Sequence, residues 1–244
     1  MLLGLAMLTC ARPGHADTLK VLTAGAFKQV LLAGLPQLEA AAGMSIELEA
    51  DTVGGLVRRI SEGEHFDVLV ASPQALDALK PGGAIASRIV NLARVGVGVK
   101  DGAERPALAT IGQFRDALLK AKAVAYVDPA AGGTSGIYLS LLIDQLGIGP
   151  QVRAKAVLVK GGSAAERIVS GEADLALQQI SEILPVKGVV LVGPLPAEIQ
   201  SYTTYSVAVA AATAQSAAAE AVVSWLRGRA AAELIRGKGM EPLP

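Results

Sequence analysis

The sequence predicts an α/β protein with two lobes, each a mixed, mostly parallel sheet flanked by helices, joined by a hinge of two strands. Short apolar runs alternate with amphipathic segments, which is the pattern of strand–helix–strand units. The alternation runs through the chain in two successive sets, and no Gly/Ser-rich linker separates them. The 244 residues suffice for two lobes of about 100 residues each.

The first set consists of three strand–helix units. Each apolar run is followed by a turn and then by apolar residues that recur with the period of a helix. A proline in its first turn supports the third of these helices. The predicted strands span residues 19–23, 45–48 and 66–71, and the helices after them begin near Ala26, Leu56 and Gln74.

The second set repeats this pattern. Its three apolar runs are again followed by residues that favour the start of a helix, and one further apolar run, 189–192, closes the set. The predicted strands span residues 123–127, 156–159 and 175–177, and the helix starts lie at 134–136, 163–164 and 180–182.

Two longer apolar segments are predicted to cross between the lobes, a Val/Gly-rich strand at 94–99 and an alternating strand at 202–210. Thr213 is placed to cap a final Ala-rich helix over 214–236, which the second crossing returns to the first lobe. We therefore expect residues 17–94 and 203–244 to form lobe I and residues 95–202 to form lobe II.

The composition excludes several classes of function. Lys plus Arg equals Asp plus Glu at 22 each, so the chain has no net positive field to hold a phosphate backbone. Three Phe, four Tyr and one Trp are too few for a base-stacking platform, so nucleic acid is not expected as a partner. The G-x-x-x-x-G-K pattern of a phosphate-binding loop is absent from the sequence.

The first 16 residues are typical of a signal peptide. An apolar stretch is followed by Gly14-His15-Ala16, which predicts cleavage before Asp17 and export to the periplasm. A lipid anchor on Cys10 is the alternative, although Thr9 replaces the small residue usual there. Cleavage after Ala16 would leave no cysteine and a single histidine, so we expect neither disulfides, nor a Cys/His metal site, nor a cofactor.

Several short segments, in their order and spacing, resemble the periplasmic molybdate-binding proteins and their relatives, the type II solute-binding proteins of ATP-driven importers. The segments that carry the resemblance are 22–26, 56–60, 63–68, 128–129, 135–138 and 238–240. The resemblance implies the type II periplasmic-binding-protein fold, a monomer, a small anionic ligand and an ABC permease as partner.

The ligand site is predicted where parallel strands end and helices begin. Helix starts carry unpaired N–H groups and a partial positive charge, so several of them in one crevice bind an anion without a cation beside it. Each candidate also has an ordinary role in a tight turn or as a helix cap, and both roles stay open. The predicted ligand-binding residues are Gly25, Ala26, Val53, Gly54, Thr134, Ser135, Ser163, Ala164, Gln178 and Gln179.

Three positions depart from the molybdate binders. Ala26 and Gly54 stand where that family supplies Ser hydroxyls, and Gln178 stands where it has a Tyr. A site that loses such donors loses affinity for a compact oxyanion, and small residues leave a wider pocket. The sequence therefore favours a carboxylate-bearing ligand, with molybdate or tungstate bound through backbone N–H groups as a weaker alternative.

Segments at 123–126, 135–138 and 178–182 also resemble aconitate isomerase, an exported enzyme on the same scaffold. Two functions stay open: a non-enzymatic receptor for an importer, or an isomerase that moves the double bond of a tricarboxylate. The second needs a base for a C–H proton. The unranked candidates are Lys28, Tyr138, Lys160 and Glu182.

Overall fold

A computed structural model describes residues 18–80 and 91–242 of the chain, and the side chains of all of these except 91–95. The predicted signal peptide and the turn after residue 80 lie outside the described residues. The strands are β1 (Leu19–Ala24), β2 (Ile46–Asp51), β3 (Val68–Ala71), β4 (Asn91–Lys100), β5 (Val124–Val127), β6 (Ala156–Val159), β7 (Leu175–Gln179), β8 (Val189–Pro194), β9 (Tyr202–Val209) and β10 (Met240–Pro242).

Helices follow most of the strands. They are α1 (Gly25–Ala42), α2 (Val53–Ser61), α3 (Pro73–Leu79), α4 (Ile111–Lys120), α5 (Thr134–Gln145), α6 (Gly149–Arg153), α7 (Glu166–Val169), α8 (Ile180–Ile183), α9 (Ser216–Leu226) and α10 (Arg229–Gly237). Short 3₁₀ turns occur at Pro129–Ala131 and Ala197–Ile199.

The strands form two parallel groups that antiparallel strands connect. β1 pairs in parallel with β2 and β3, and β5 pairs in parallel with β6 and β7. The order across the molecule is β2-β1-β3-β9-β4-β7-β5-β6, with β8 and β10 also paired to β4. This mixed arrangement flanked by helices is the predicted α/β class.

β4 and β9 connect the two groups. The first part of β4, Asn91 to Arg94, pairs with β9, whereas its remainder pairs with β7 and β8. β9 in turn pairs with β3 in the first group. The two strands that the sequence predicted as crossings therefore lie side by side between the lobes, as a two-strand hinge requires.

Apolar cores are separate in the two groups. In each, buried side chains fill both faces of the sheet. One pair of clusters takes its residues from β1, β3, β9 and the helices around them, and the other pair from β4 to β8 and the helices α4 to α8. Because each lobe has its own core, each can move as a unit.

Glycines on β4 allow α8 to lie directly on that strand. A Cβ at Gly96 would be 2.6 Å from Ile180, and a Cβ at Gly98 would be 2.9 Å from Ile183. Real Cβ atoms do not approach so closely, so larger residues would push α8 away from the sheet. The position of α8 matters because this helix carries Glu182 into the site described below.

The C-terminal helix departs from the prediction. Residues 214–236 form two helices, α9 and α10, because the chain turns at Gly228, where the backbone is extended with ψ 165°. The turn brings both helices onto α1, where a Cβ at Gly34 would lie 2.4 Å from Trp225 and 3.3 Å from Leu234. Packing on α1 thus outweighs the local preference of an Ala-rich segment for one continuous helix.

Thr213 was also predicted wrongly as the cap of that helix. Its hydroxyl donates to the Asp67 carboxylate at 2.5 Å and accepts from the backbone N–H of Gln215. The helix therefore begins only at Ser216, after Gln215 in the capping position. Asp67 also accepts from the backbone N–H of Lys20, so this buried carboxylate ties α9 to the β1 and β3 edge.

Candidate functional site

A cleft of about 630 Å³ opens between the lobes at the carboxyl ends of the parallel strands. Its walls come from the segments that follow β1, β2, β5, β6 and β7, together with β9. This is the crevice in which open α/β sheets bind their ligands. Residues from both lobes line it, so closure of the lobes would enclose a bound molecule.

Three helices of more than two turns begin at this cleft. α1 begins at Gly25, α2 at Val53 and α5 at Thr134, and the first turn of each contains no acidic residue. Within the described part of the chain no side chain caps the N-terminus of α1 or α5, so their first N–H groups are available to a ligand. In α2 the Thr52 hydroxyl accepts from the N–H of Gly55 at 3.0 Å. The uncapped N-termini of α1 and α5 therefore present partial positive charge to an anion in the cleft.

Gln178 fixes the loop after β6. Its Oε1 accepts from the backbone N–H of Ala164 at 2.6 Å, and its Nε2 donates to the carbonyl oxygen of Gly162 at 3.2 Å. The Ser163 hydroxyl lies 3.3 Å from the same Oε1 and 3.0 Å from the carbonyl oxygen of Glu182. Gln178 therefore lines the cleft while most of its hydrogen-bonding capacity is directed at protein.

The side chain of Gln179 connects hinge strand β9 to α5. Its Nε2 donates to the Thr203 hydroxyl at 2.8 Å and lies 3.5 Å from the Thr134 hydroxyl. Its Oε1 is buried without a partner among the described residues. A buried amide oxygen with no donor has its full hydrogen-bonding capacity left for a hydroxyl of a ligand or a water.

The sequence-predicted residues divide into two groups in the structure. Gly25, Ala26, Val53, Thr134, Ser135, Ser163, Gln178 and Gln179 line the one cleft, whereas Gly54 and Ala164 are not among its lining residues. Ala164 is fully buried, and its N–H is taken by Gln178 rather than left for an anion. Which of the lining residues contact a ligand stays a prediction.

Gly54 instead joins the two lobes. Its N–H donates to the carbonyl oxygen of Gly132 at 3.1 Å, and the Thr52 hydroxyl donates to the carbonyl oxygen of Ala131 at 2.5 Å. A Cβ at Gly54 would lie 2.8 Å from the Cα of Gly132. We call this pair of hydrogen bonds, with the glycine contact, the interlobe latch.

Glu182 presents a carboxyl group to the cleft from α8, the helix that rests on β4. Its Oε1 lies so close to Gly25 that a Cβ there would be 2.7 Å away, which places the carboxyl at the start of α1. Burial raises the pKa of Glu182 to about 8, and a hydrogen bond from Gln178 opposes this only in part. At neutral pH the group is therefore mostly an uncharged acid that does not repel an anion.

Sequence reasoning missed Tyr205, which lines the cleft, and Thr203, which accepts a hydrogen bond from the lining residue Gln179. The Tyr205 ring packs 6.3 Å from that of Phe27, and burial with the charge of Glu182 raises the pKa of its hydroxyl, which hydrogen bonds with Thr134 and Thr203 oppose. The alternation of β9 could have indicated both, because residues 203, 205, 207 and 209 share its buried face. Tyr205 therefore stays a neutral hydroxyl.

Of the four candidate bases, Lys28 and Glu182 line the cleft. The Tyr138 hydroxyl donates to the carbonyl oxygen of Ile199 at 2.6 Å, and neither Tyr138 nor Lys160 is among the lining residues. The described residues that line the cleft include two cations, Lys28 and Lys187, and two acids besides Glu182, which are Asp51 and Glu166.

Residues 18–80 and 91–242 contain no group of three or more His, Cys, Asp or Glu side chains that could hold a metal ion. No helix in the same part of the chain is both long and apolar enough to span a bilayer.

Two lobes with separate cores, a two-strand connection and a cleft of helix starts define the class of solute-binding proteins. Residues 19–241 match the family model of bacterial extracellular solute-binding proteins, and the chain belongs to this family. Among curated proteins, the chain is 31% identical over 253 residues to the aconitate isomerase of a Pseudomonas species, covering all of this chain and 94% of that one.

Solved structures share the fold. The periplasmic molybdate-binding protein of Azotobacter vinelandii superposes with a TM-score of 0.77 at 22% identity, over 93% of this chain and 99% of that one. The sulfate-binding protein SubI of Mycobacterium tuberculosis gives 0.74 at 17% identity, over 93% and 87%. A periplasmic thiamin-binding protein gives 0.72 at 18% identity, over 96% and 86%. These matches confirm the type II periplasmic-binding-protein fold that the resemblance implied.

Proposed function

We propose that the protein captures a small anion that carries several carboxylates in the cleft between its lobes. The observation that carries this proposal is the convergence of the uncapped starts of α1 and α5 on one cleft. N–H groups of this kind hold carboxylate oxygens in proteins without a dedicated cation. Lys28 and Lys187 at the rim add attraction during entry.

The size and the donors of the cleft favour a carboxylate over a compact tetrahedral oxyanion. About 630 Å³ lies within the range of small-molecule sites, about 300–1,000 Å³. Ala26 supplies no hydroxyl, Gly54 faces the other lobe, and the donors of Gln178 are partly used by the protein. A molybdate-sized ion would therefore meet mainly backbone N–H groups, and we expect it to bind weakly.

We propose a receptor role in which the loaded protein, exported to the periplasm, delivers its ligand to an ABC permease as a monomer. Family membership supports this, because the family consists of bacterial extracellular solute-binding proteins. Closure would turn about β4 and β9, with the lobe boundaries near residues 94 and 203 and the latch of Thr52 and Gly54 joining the lobes when closed.

A second candidate function is the interconversion of trans- and cis-aconitate. Two observations favour it: the 31% identity to an aconitate isomerase over the full chain, and a partly buried carboxyl group, Glu182, that lines the cleft. Both candidates share the same ligand class and differ in whether chemistry follows binding.

Thermal unfolding with a ligand panel tests the shared proposal. A ligand at 100 times its Kd stabilises the folded state by about 2.7 kcal/mol, which for a protein of this size corresponds to a Tm rise of about 5–11 °C. The panel contains trans-aconitate, cis-aconitate, citrate, malate, sulfate and molybdate. We expect a shift with at least one di- or tricarboxylate and little with molybdate. A shift with molybdate alone, or none with any carboxylate, would contradict the proposal.

A further inference from the structure

We propose that Glu182 carries a proton between two carbons of an unsaturated tricarboxylate, so that the cleft is a site of allylic isomerisation. This inference rests on the proposed carboxylate ligand. It adds a named residue, a reaction step and a role for a carboxyl group that a simple anion receptor does not need. The chemistry asked of the group is the removal of one C–H proton and its return elsewhere on the same molecule.

The carboxyl group of Glu182 has close neighbours on two sides. Beneath it, Ile180 and Ile183 pack on the glycines of β4, so α8 lies directly on this hinge strand. Above it, Oε1 lies beside Gly25, where the Cβ of a larger residue would be 2.7 Å from Oε1 unless the carboxyl moved. A group that removes a C–H proton must be positioned relative to its substrate, and the packing of α8 on β4 limits where this carboxyl can lie.

The carboxyl also lies where an anionic substrate is held. Gly25 is the first residue of α1, so the N–H groups that would bind a substrate carboxylate and the oxygen of Glu182 share one corner of the cleft. Burial raises the pKa of Glu182 to about 8, which makes its ionised form a stronger base than an ordinary glutamate. The ionisable side chains that share the cleft with it are Lys28, Asp51, Glu166, Lys187 and Tyr205.

The other candidate bases fit this role less well. Lys28 is exposed at the rim, where an ammonium group suits attraction of the substrate. The Tyr138 hydroxyl donates to the carbonyl oxygen of Ile199, and Lys160 is not among the residues that line the cleft. Burial and the charge of Glu182 raise the pKa of Tyr205, which keeps its hydroxyl from acting as a base near neutral pH.

The proposed step is balanced without a cofactor. The ionised carboxylate of Glu182 takes a proton from the methylene carbon of trans-aconitate, forming an O–H bond and breaking a C–H bond. The released electron pair forms the new C=C bond, and the electrons of the old C=C bond move onto the conjugated carboxylate. N–H groups at the starts of α1 and α5 stabilise this charge.

Return of the proton completes the reaction. The O–H of Glu182 protonates the former alkene carbon, which becomes the methylene group, and the carboxylate of Glu182 is regenerated. The two terminal arms of the molecule exchange roles, and the new double bond can form with the opposite geometry. Nothing is oxidised or reduced, and no second substrate is consumed.

The test separates binding from chemistry in the full chain. Wild type, Glu182→Gln and the control Glu220→Gln, an exposed position on α9, are titrated calorimetrically with trans-aconitate. The same samples are incubated with trans-aconitate in D₂O, and NMR follows both the cis isomer and deuterium entry at the methylene carbon. Glutamine matches the uncharged acid in size, so we expect Glu182→Gln to bind within about threefold of wild type and to lose about 10²–10⁴-fold in both rates.

Each outcome bears on one of the two proposals. Wild type that binds no carboxylate would refute the proposed function itself. Wild type that binds aconitate but neither isomerises it nor exchanges its protons would leave a receptor and overturn the role of Glu182, as would a Glu182→Gln variant that retains the wild-type rate. If that variant fails to bind, the pH profile of the wild type decides, because the rate must rise with ionisation of a group with a pKa near 8, and a flat profile would overturn the inference.

Discussion

Substitution of Gly54 by alanine is expected to open the cleft. Gly54 belongs to the interlobe latch, where its N–H and the Thr52 hydroxyl donate to carbonyl oxygens of the other lobe. A methyl group at Gly54 would lie 2.8 Å from the Cα of Gly132 and 3.4 Å from its carbonyl oxygen. Because carbon atoms pack at about 3.5–4.0 Å, the two loops must separate by about 0.7 Å or more at this point.

This separation is enough to break the latch. The bond from Gly54 to Gly132 already has an N···O distance of 3.1 Å, and a further 0.7 Å exceeds the range of a hydrogen bond. Loss of one or both bonds costs about 1–3 kcal/mol of closed-state stability. If the ligand is held by the closed form, the apparent Kd rises by the same free energy, which corresponds to about 5- to 150-fold.

Small-angle scattering, hydrogen exchange and calorimetry measure the effect. The control is Gly112→Ala on α4, where a Cβ would meet nothing closer than 3.9 Å. We expect Gly54→Ala alone to increase the radius of gyration without ligand, to speed amide exchange in the loops on both sides of the cleft, and to weaken binding of the best ligand of the panel. Unchanged dimensions, exchange and affinity in Gly54→Ala would refute the latch.

Three further predictions concern Glu182 and the packing on α1. The pKa of Glu182 is about 8 in the folded state, whereas a glutamate in the unfolded chain has its ordinary pKa of 4.5, so unfolding between these pH values releases a proton. This group's contribution to stability is therefore complete below about pH 4.5 and is lost as the pH rises through 8. Urea unfolding should therefore show Glu182→Gln gaining stability over wild type at pH 8.5 by on the order of a few kcal/mol and little at pH 4.5; equal differences at both would contradict the burial of the charge. Gly25→Ala places a methyl 2.7 Å from Oε1 of Glu182 and should displace the carboxyl, so that its pKa, followed by ¹³C NMR of labelled glutamate, falls; an unchanged pKa would mean that Glu182 is not held against α1. Gly34→Ala collides with Trp225, the single Trp of the chain, and should destabilise the protein by about 1–3 kcal/mol and shift Trp fluorescence, whereas Gly237→Ala, with open space around its Cβ, should do neither.

The sequence predicted most of the elements because their signals are local. A short apolar run indicates a strand, and apolar residues at the helical period indicate a helix. The predicted ends of β6 therefore match the observed ends, and those of the other predicted strands lie within a few residues of the observed ones. The loops that follow the strands could then be assigned to one edge, because parallel strands end together. Eight of the ten predicted site residues accordingly line one cleft.

Helix α4, by contrast, was not predicted. Its segment gave no recognised start signal, although the Thr110 hydroxyl caps it by accepting from the N–H of Gln113 at 3.2 Å. The break between α9 and α10 was missed for a different reason, since a single glycine in an Ala-rich run does not end a helix unless packing on another element favours a turn. Here Trp225 of α9 and Leu234 of α10 both pack against Gly34 of α1, and this packing favours the turn.

The sequence by itself determined the alternation of strands and helices, the two sets of units and the edge at which a ligand site forms. Tertiary structure alone decided that Gln178 would take the N–H of Ala164, that Gly54 would face Gly132, and that the carboxyl of Glu182 would be buried against Gly25. The physical reason is distance along the chain. Periodicity reports on neighbours a few residues apart, whereas burial and hydrogen-bond partners depend on segments that only folding brings together, such as Asp67 and Thr213, which lie 146 positions apart.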